Sequence, residues 1–441
     1  MPGYSYGCMT DWLIQQSPAV QATIRVLVFV LPVLIIVPGL IWWERRLLSW
    51  MQDRIGPNRV GPFGLLQPIA DGVKLFFKED ITPAAVDRLI YFVAPAVALF
   101  PAFAIGATLP WGPHYGPLMH WTPIADVNIG ILYILAISSL GVYGVVLSGY
   151  ASNNKYSLLG GLRASAQLIS YELAMSVSLA GIVMATGSLK LTDMVAEQMK
   201  PLWGWDAAAV FQNWFIFTPF GFIAAVIFLI CMVAETNRAP FDLPEAENEI
   251  IAGYHTEYSS MKFAVFFMGE YATMFIFGGV FATVFLGGWN MLPVNWDVLA
   301  AQVPAVAPFA RVMDGANYWL APLWFLGKCA GGITFYIWLR ATLPRLRYDQ
   351  LMSLGWKSLL PMAVANFIVV AIWIMCTKLY GPAGGWISMF VALAIIYVLY
   401  LNVVSATSKS GWYAQGRIRM TEGAEKRRPI ALVDPSKEVR P

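Results

Sequence analysis

The chain has 441 residues, of which 58% are hydrophobic and only 12% charged. Ordinary soluble domains carry roughly 25% charged residues, so a soluble fold of this length could not clothe its surface from so small a supply. A formal charge of +3, with no basic stripe interleaved with aromatics, excludes a nucleic-acid binder. Cys8, Cys231, Cys329 and Cys376 are scattered and form no C-x-x-C pair, which argues against an iron–sulfur, zinc or disulfide framework.

The N-terminus shows no cleavable signal, and its first apolar run reads as a retained span. A hydrocarbon core takes roughly 20 apolar residues as helix. On that measure the candidate spans are about 24–43, 89–110, 127–149, 165–187, 214–234, 262–288, 316–340, 358–377 and 385–405. The last two are joined by a turn rich in Gly381, Pro382, Gly384 and Gly385, so they should form a hairpin. The expected fold is an all-α polytopic integral membrane protein with eight to nine transmembrane helices and an amphipathic surface helix after the first. Residues 1–405 should form one membrane domain, and 406–441 a basic cytoplasmic tail. No internal repeat appears, which weighs against inverted-repeat transporters.

The segment after the first span is not a free loop. Over 62–78, Leu66, Ile69, Ala70, Val73, Phe76 and Phe77 recur at helical spacing, with Asp71, Lys74 and Lys78 on the opposite face. That pattern fits a helix lying along the membrane surface or against a partner. Before it, RIGPNRVGP strings Gly and Pro between two arginines and reads as a shaped turn.

Charges set the orientation. With nine spans, twenty-three of the 29 lysines and arginines fall on one side, which is therefore cytoplasmic; the N-terminus is then periplasmic and the C-terminus cytoplasmic. The same side receives the densest acidic stretch, 235–258, which holds Glu235, Asp242, Glu245, Glu247, Glu249 and Glu257 with only Arg238 among them. Pro244 and the following acids would suit the first turn of a helix, but one helix dipole is equivalent to about half a charge and cannot neutralise the set. Within the spans, Glu172, Glu270 and Lys328 are charges in costly places, and Glu235 closes another. Such groups face the bundle interior and mark a proton or ion path. The plainer alternative is a buried pair of Lys328 with one of the acids that serves packing alone. His114, His120 and His255 are too dispersed for a metal site and receive no chemistry.

Four stretches carry a family resemblance: ERRLLSWMQDRIGPNRVGPFGLLQPIADGVKLFFKED, ASNNKYSLLGGLRASAQLISYELAM, AETNRAPFDLPEAENEIIAGYHTEYS and LRATLPRLRYDQLMSLGWK. They resemble the H subunit of bacterial NADH:quinone oxidoreductase, respiratory complex I, over roughly residues 20–378. The resemblance implies the membrane part of a quinone tunnel, with Glu44, Arg45, Arg54 and Asp71 flanking the quinone, and Arg340 and Arg347 near its entrance. It implies that Glu172, Glu235, Asp242, Glu245, Glu247, Glu249, Glu257 and Glu270 link the quinone cavity to the proton path. The bound substrate would be a quinone, ubiquinone by expectation, with FMN, iron–sulfur clusters and metals held by other subunits. Partners would be the hydrophilic quinone-site subunits of the peripheral arm, small membrane subunits leading to antiporter-like subunits, and the lipid of a bacterial inner membrane.

Two other classes compete with this reading: a stand-alone proton-coupled secondary transporter and a structural anchor for an electron-transfer arm. The transporter accounts for the intramembrane acids but not for the shaped segment after the first span. The topology is directly testable. A reporter fused after Lys437 should be active only in the cytoplasm; activity only in the periplasm would remove the ninth span.

Overall fold

The computed structural model describes residues 17–113, 125–205, 209–242 and 252–409. Among these the fold is helical, with two isolated β-bridges, Pro201 with Gln212 and Phe211 with Val294. The helices are α1 (Pro18–Met51), α2 (Gln67–Phe77), α3 (Arg88–Gly106), α4 (Gly130–Ala151), α5 (Lys155–Thr186), α6 (Leu191–Gln198) and α7 (Pro219–Glu235). They continue as α8 (Ser260–Phe285), α9 (Trp296–Gln302), α10 (Ala307–Trp319), α11 (Ala321–Thr342), α12 (Tyr348–Ser353) and α13 (Leu360–Lys409). Two compact units divide the chain, Met1–Ile374 and Met375–Pro441.

Five helical stretches among the described residues are long and apolar enough to cross a membrane, or six if the bent pair Pro304–Asn317 and Ala321–Thr342 is one span. The chain is an all-α polytopic membrane protein. The expected eight to nine spans exceed that number, and for two of them the reason is length. Helix α7 has only 17 residues, and the apolar stretch Ala383–Tyr397 is also short. The glycine-rich turn expected near 381–385 contracts to one non-helical residue, Gly381, at φ 77° and ψ −179° within the helical run of α13.

Local signals place the helix ends. The Asp87, Asn154 and Thr218 side chains each accept a backbone N–H in the first turns of α3, α5 and α7. Gly187 closes α5 in the left-handed conformation (φ 71°), which costs glycine nothing. The amphipathic helix starts later than its periodicity predicts. Phe63 and Gly64 have positive φ and belong to a 3₁₀ turn, and Pro68 fits the first turn of a helix that begins at Gln67. Ile69, Val73, Phe76 and Phe77 of α2 are exposed, whereas Asp71 turns inward toward α1.

Helix α8 is the hub of the first unit, packing against α1, α2, α3, α7 and α11. Its apolar window is 61% buried, more than that of any other helix meeting the span criterion. Small residues let backbones approach where lipid supplies no hydrophobic drive between helices. A Cβ added to Gly144 of α4 would lie 2.6 Å from the backbone nitrogen of Ala98 on α3, and neither backbone can yield. We expect Gly144→Ala to destabilise the folded chain by about 1–3 kcal/mol through overpacking. Gly72→Ala, on open α2 with nothing within 4 Å of the new methyl, should gain up to about 1 kcal/mol from helix propensity. Thermal unfolding of the two variants should therefore shift in opposite directions.

Candidate functional site

The ends of α1 and α11 converge on α8. Glu44, near the end of α1, is buried; it pairs with Arg340 at the end of α11 and accepts a 2.8 Å hydrogen bond from the Tyr271 hydroxyl of α8. The Tyr271 ring lies beneath the Arg238 guanidinium at 4.4 Å, and the Phe267 ring flanks it at 5.6 Å. Arg238 reaches Glu270 at 3.5 Å, and Glu270 accepts from the Tyr254 hydroxyl at 2.8 Å. An unbroken succession of polar groups thus runs Arg340, Glu44, Tyr271, Arg238, Glu270, Tyr254. Each buried charge in it has an opposite charge or a ring face beside it, as burial demands.

The succession ends at a cavity of about 70 Å³ lined by Glu235, Thr236, Asn237, Tyr254, Glu270 and Ser138 among apolar side chains. That space suits a few waters, since one needs roughly 10–15 Å³. A buried Glu235 oxygen has no hydrogen-bond partner among the described residues, the kind of group an internal water satisfies. Ser138 connects the cavity to Glu172, donating to it at 2.9 Å.

Above the cavity runs the turn 235–242, whose Ala239–Pro240 peptide is cis. Asp242 pairs with Arg345 at 2.9 Å, and the Pro240 carbonyl accepts from the Leu346 amide at 3.1 Å. Burial holds the Asp242 carboxyl above the usual aspartate range; Arg345, Arg340 and Arg238 pull it back, and Glu270 pushes it further up. Burial pushes His255 down, against the opposing pull of Glu270, which favours a neutral imidazole beside the site.

The remaining expected residues are placed differently. Arg45 and Asp71 form a separate pair at 2.5 Å that ties α1 to α2, with Gln67 also donating to Asp71. Arg54 donates to its neighbour Gln52, and exposed Arg347 pairs with exposed Asp349. Glu257 accepts from Asn154 at 2.7 Å beside the start of α5 and does not line the cavity. Glu245, Glu247 and Glu249 lie outside the described residues. Among the described residues Lys328 is not the partner of any acid, contrary to the packing alternative. Its ammonium donates to the carbonyls of Leu286, Gly288 and Asn290 beyond the end of α8 and stands 4.1 Å from the Trp214 ring centre.

Sequence reasoning missed Tyr254, Tyr271, Ser138, Asn237 and Gln167. For Gln167 a signal existed, since an amide within an apolar span calls for buried partners. The tyrosines had none, because tyrosine is common at membrane interfaces.

Fold and site define a class: a polytopic helical membrane protein whose interior carries a connected series of acids, tyrosines and arginines. A family profile described as NADH dehydrogenase matches residues 24–371. The NADH-quinone oxidoreductase H subunit numbered 2 of Geobacter sulfurreducens is 46% identical over 373 residues, covering 84% of this chain and 96% of that one. The H subunits of the same enzyme from Ralstonia nicotianae and Thermomicrobium roseum are 44% and 49% identical, covering 81% and 74% of this chain and 93% and 87% of theirs. The chain belongs to the NADH dehydrogenase family.

The Asp242–Arg345 pair yields a pH test. With its native pKa raised, Asp242 favours folding most at acidic pH, below its unfolded value, and that contribution is lost as pH rises through the native value. Arg345→Gln removes a pull that limits the shift. The variant should match the parent below about pH 4, where Asp242 is protonated in both, and be less stable near neutrality. The deficit should not exceed about 1 kcal/mol, because Arg345 is half-exposed and solvent screens it. Melting curves of purified protein over a pH series check the sign.

Proposed function

We propose that this chain is the membrane subunit of a proton-pumping NADH:quinone oxidoreductase, forming the membrane part of the quinone tunnel and coupling quinone reduction to proton movement. The observation that carries the proposal is the succession from Arg340 and Glu44 through Tyr271, Arg238 and Glu270 to the Glu235 cavity. One end, Glu44 and Arg340, would border the quinone, and by our reading Arg45, Arg54, Asp71 and Arg347 would complete that border. The other lies among acids suited to passing protons, Glu172, Glu235, Asp242 and Glu270; by our reading Glu245, Glu247, Glu249 and Glu257 would serve the same path.

Reducing a quinone to a quinol adds electrons and demands protons. Electrons arrive from FMN and iron–sulfur clusters of other subunits, so this chain's own residues orient the quinone and respond to its charge. Negative charge developing near Arg340 strengthens that arginine's alternative to Glu44. A loosened Glu44 changes what Tyr271 donates to, and Tyr271 is the face on which Arg238 rests. Arg238 in turn sets how strongly Glu270 is held as an anion. A change at the quinone is thereby felt at the cavity without any group travelling between them.

Quinone is the substrate, ubiquinone by our reading. The partners are the hydrophilic subunits of the peripheral arm and the small membrane subunits leading to antiporter-like ones. The location is the bacterial inner membrane, with the N-terminus periplasmic and the C-terminus cytoplasmic. A stand-alone transporter is less well supported, because the relatives are named as subunits of an oxidoreductase.

Tyr271→Phe separates this reading from a purely structural one. It keeps the ring beneath Arg238 and deletes only the hydroxyl that donates to Glu44. Losing a hydrogen bond to a buried charge should slow NADH:quinone turnover by about tenfold or more. NADH oxidation by an artificial acceptor, which takes electrons upstream, should be unchanged per assembled complex. Equal loss of both activities would count against the proposal.

A further inference from the structure

Gln167 lies on α5, outside the polar succession but beside its cavity end, and is fully buried. Its Nε2 has three oxygens within hydrogen-bond distance: the Ala234 carbonyl at 2.9 Å, the Phe241 carbonyl at 3.0 Å and Asn237 Oδ1 at 3.3 Å. An amide nitrogen has two hydrogens to give, so three acceptors share two bonds. Its Oε1 is buried and has no hydrogen-bond partner among the described residues. The side chain is therefore held through its donor end alone, and what it holds is one short segment. Ala234 precedes the turn, Asn237 sits inside it at φ 49°, and Phe241 closes it with its ring against Tyr171 at 5.4 Å. Between the first two of these points lie Glu235 and Thr236, which with Asn237 line the cavity.

We infer that Gln167 is a positioning residue for the coupling reaction: its buried amide fixes the turn 235–242, and with it the Glu235 carboxylate and Arg238, against α5. The inference rests on the proposed function and names a residue outside its polar succession. A bulk packing role would be met by any side chain of the same shape. Here shape is secondary, because the described residues around the amide present three acceptors and no donor. The other side of the turn is fixed independently, by Leu346 and Arg345. Gln167 thus supplies the hydrogen bonds on the α5 side of the turn, beside the Tyr171–Phe241 ring contact.

Gln167→Glu turns this into a switch in the experimenter's hands. The glutamate is close to isosteric. When protonated it donates one hydrogen bond into the same three oxygens; when ionised it only accepts and repels them. The ionisable groups of the turn and of the elements that act on it are Glu172 and Tyr171 on α5, Cys231 and Glu235 on α7, Arg238 and Asp242 in the turn, Glu270 on α8, Tyr336 and Arg340 on α11, and Arg345 beyond it. Their own titrations are also present in the parent; the repulsion they would feel from the new carboxylate is not, so the Gln167→Met variant and hydrogen exchange test the amide without adding a charge.

The experiment uses the intact assembly containing the full chain. NADH:quinone turnover is divided by NADH:artificial-acceptor turnover, and each variant is expressed as a fraction of the parent at the same pH, from about pH 6 to about pH 9. For Gln167→Glu the fraction should approach the parent at the acidic end and fall about threefold to tenfold toward the alkaline end, the span of one hydrogen bond. Gln167→Met, similar in shape but without a donor, should be reduced by a factor that does not change with pH. A flat fraction for Gln167→Glu, whether at or below the parent, overturns the inference.

Hydrogen exchange of the purified Gln167→Met assembly supplies a second readout that does not depend on turnover or on assembly of the glutamate variant. The amides of Thr236, Asn237 and Phe241 are bonded within the turn and its entry. Their exchange should speed up by about threefold to tenfold while α7 stays protected; unchanged exchange there overturns the inference equally. Failure of the functional reading would look different: the parent itself would show no NADH:quinone activity in any assembly containing this chain.

Discussion

A guanidinium buried where α7 gives way to its turn sets the terms for the polar interior. Arg238 cannot be left unpaired at that depth, and the protein meets the requirement with Glu270 at 3.5 Å and with aromatic faces, Tyr271 at 4.4 Å and Phe267 at 5.6 Å. All three partners come from α8, within little more than one turn. That concentration is why α8 is the most buried of the helices meeting the span criterion and the one most others touch. It also explains why the hydroxyl of Tyr271 is aimed at Glu44: a ring oriented by the cation above it has few directions left for its oxygen. One buried cation thereby fixes two carboxylates on different helices.

Much of this arrangement was legible in the sequence, and the division has physical causes. Composition and apolar runs yield the helical membrane fold, because a bilayer requires every backbone group to be bonded within its own segment. Buried acids were readable from their cost alone: Glu172, Glu235 and Glu270 lie in or at the edge of apolar runs, and all three lie at or next to the cavity. Boundaries were less readable. The periodicity of 62–78 ignores that Phe63 and Gly64 take positive φ, and runs of apolar residues conceal a 17-residue helix and a break at Gly381.

Partnership was the least legible. A pairing of Lys328 with one of the acids was the plainer alternative because both are rare here, yet three backbone carbonyls beyond α8 satisfy it. Carbonyls carry no sequence signature, since every residue has one. The same blindness hid the partners of Gln167, which are two carbonyls and one asparagine. Arg54, Arg347 and Glu257 show the reverse: conspicuous charges engaged by near neighbours or at the edge of a helix, away from the cavity.

Cavity size constrains how the proposed coupling operates. A space of about 70 Å³ suits a few waters, and in the proposed coupling the carboxylates around it would feel the charge of a quinone near Arg340 at a distance. Electrostatic influence passes most effectively through groups that water does not screen, and the intervening side chains Glu44, Tyr271 and Arg238 are all buried. A fixed series of this kind transmits a change only if its members have alternatives. Arg340 has one, being more exposed than the glutamate it pairs with. Glu235 has another, because a buried oxygen without a partner among the described residues can exchange water or proton at little structural cost. The two ends are free to change and the middle is held, which is the distribution of freedom that coupling without diffusion requires.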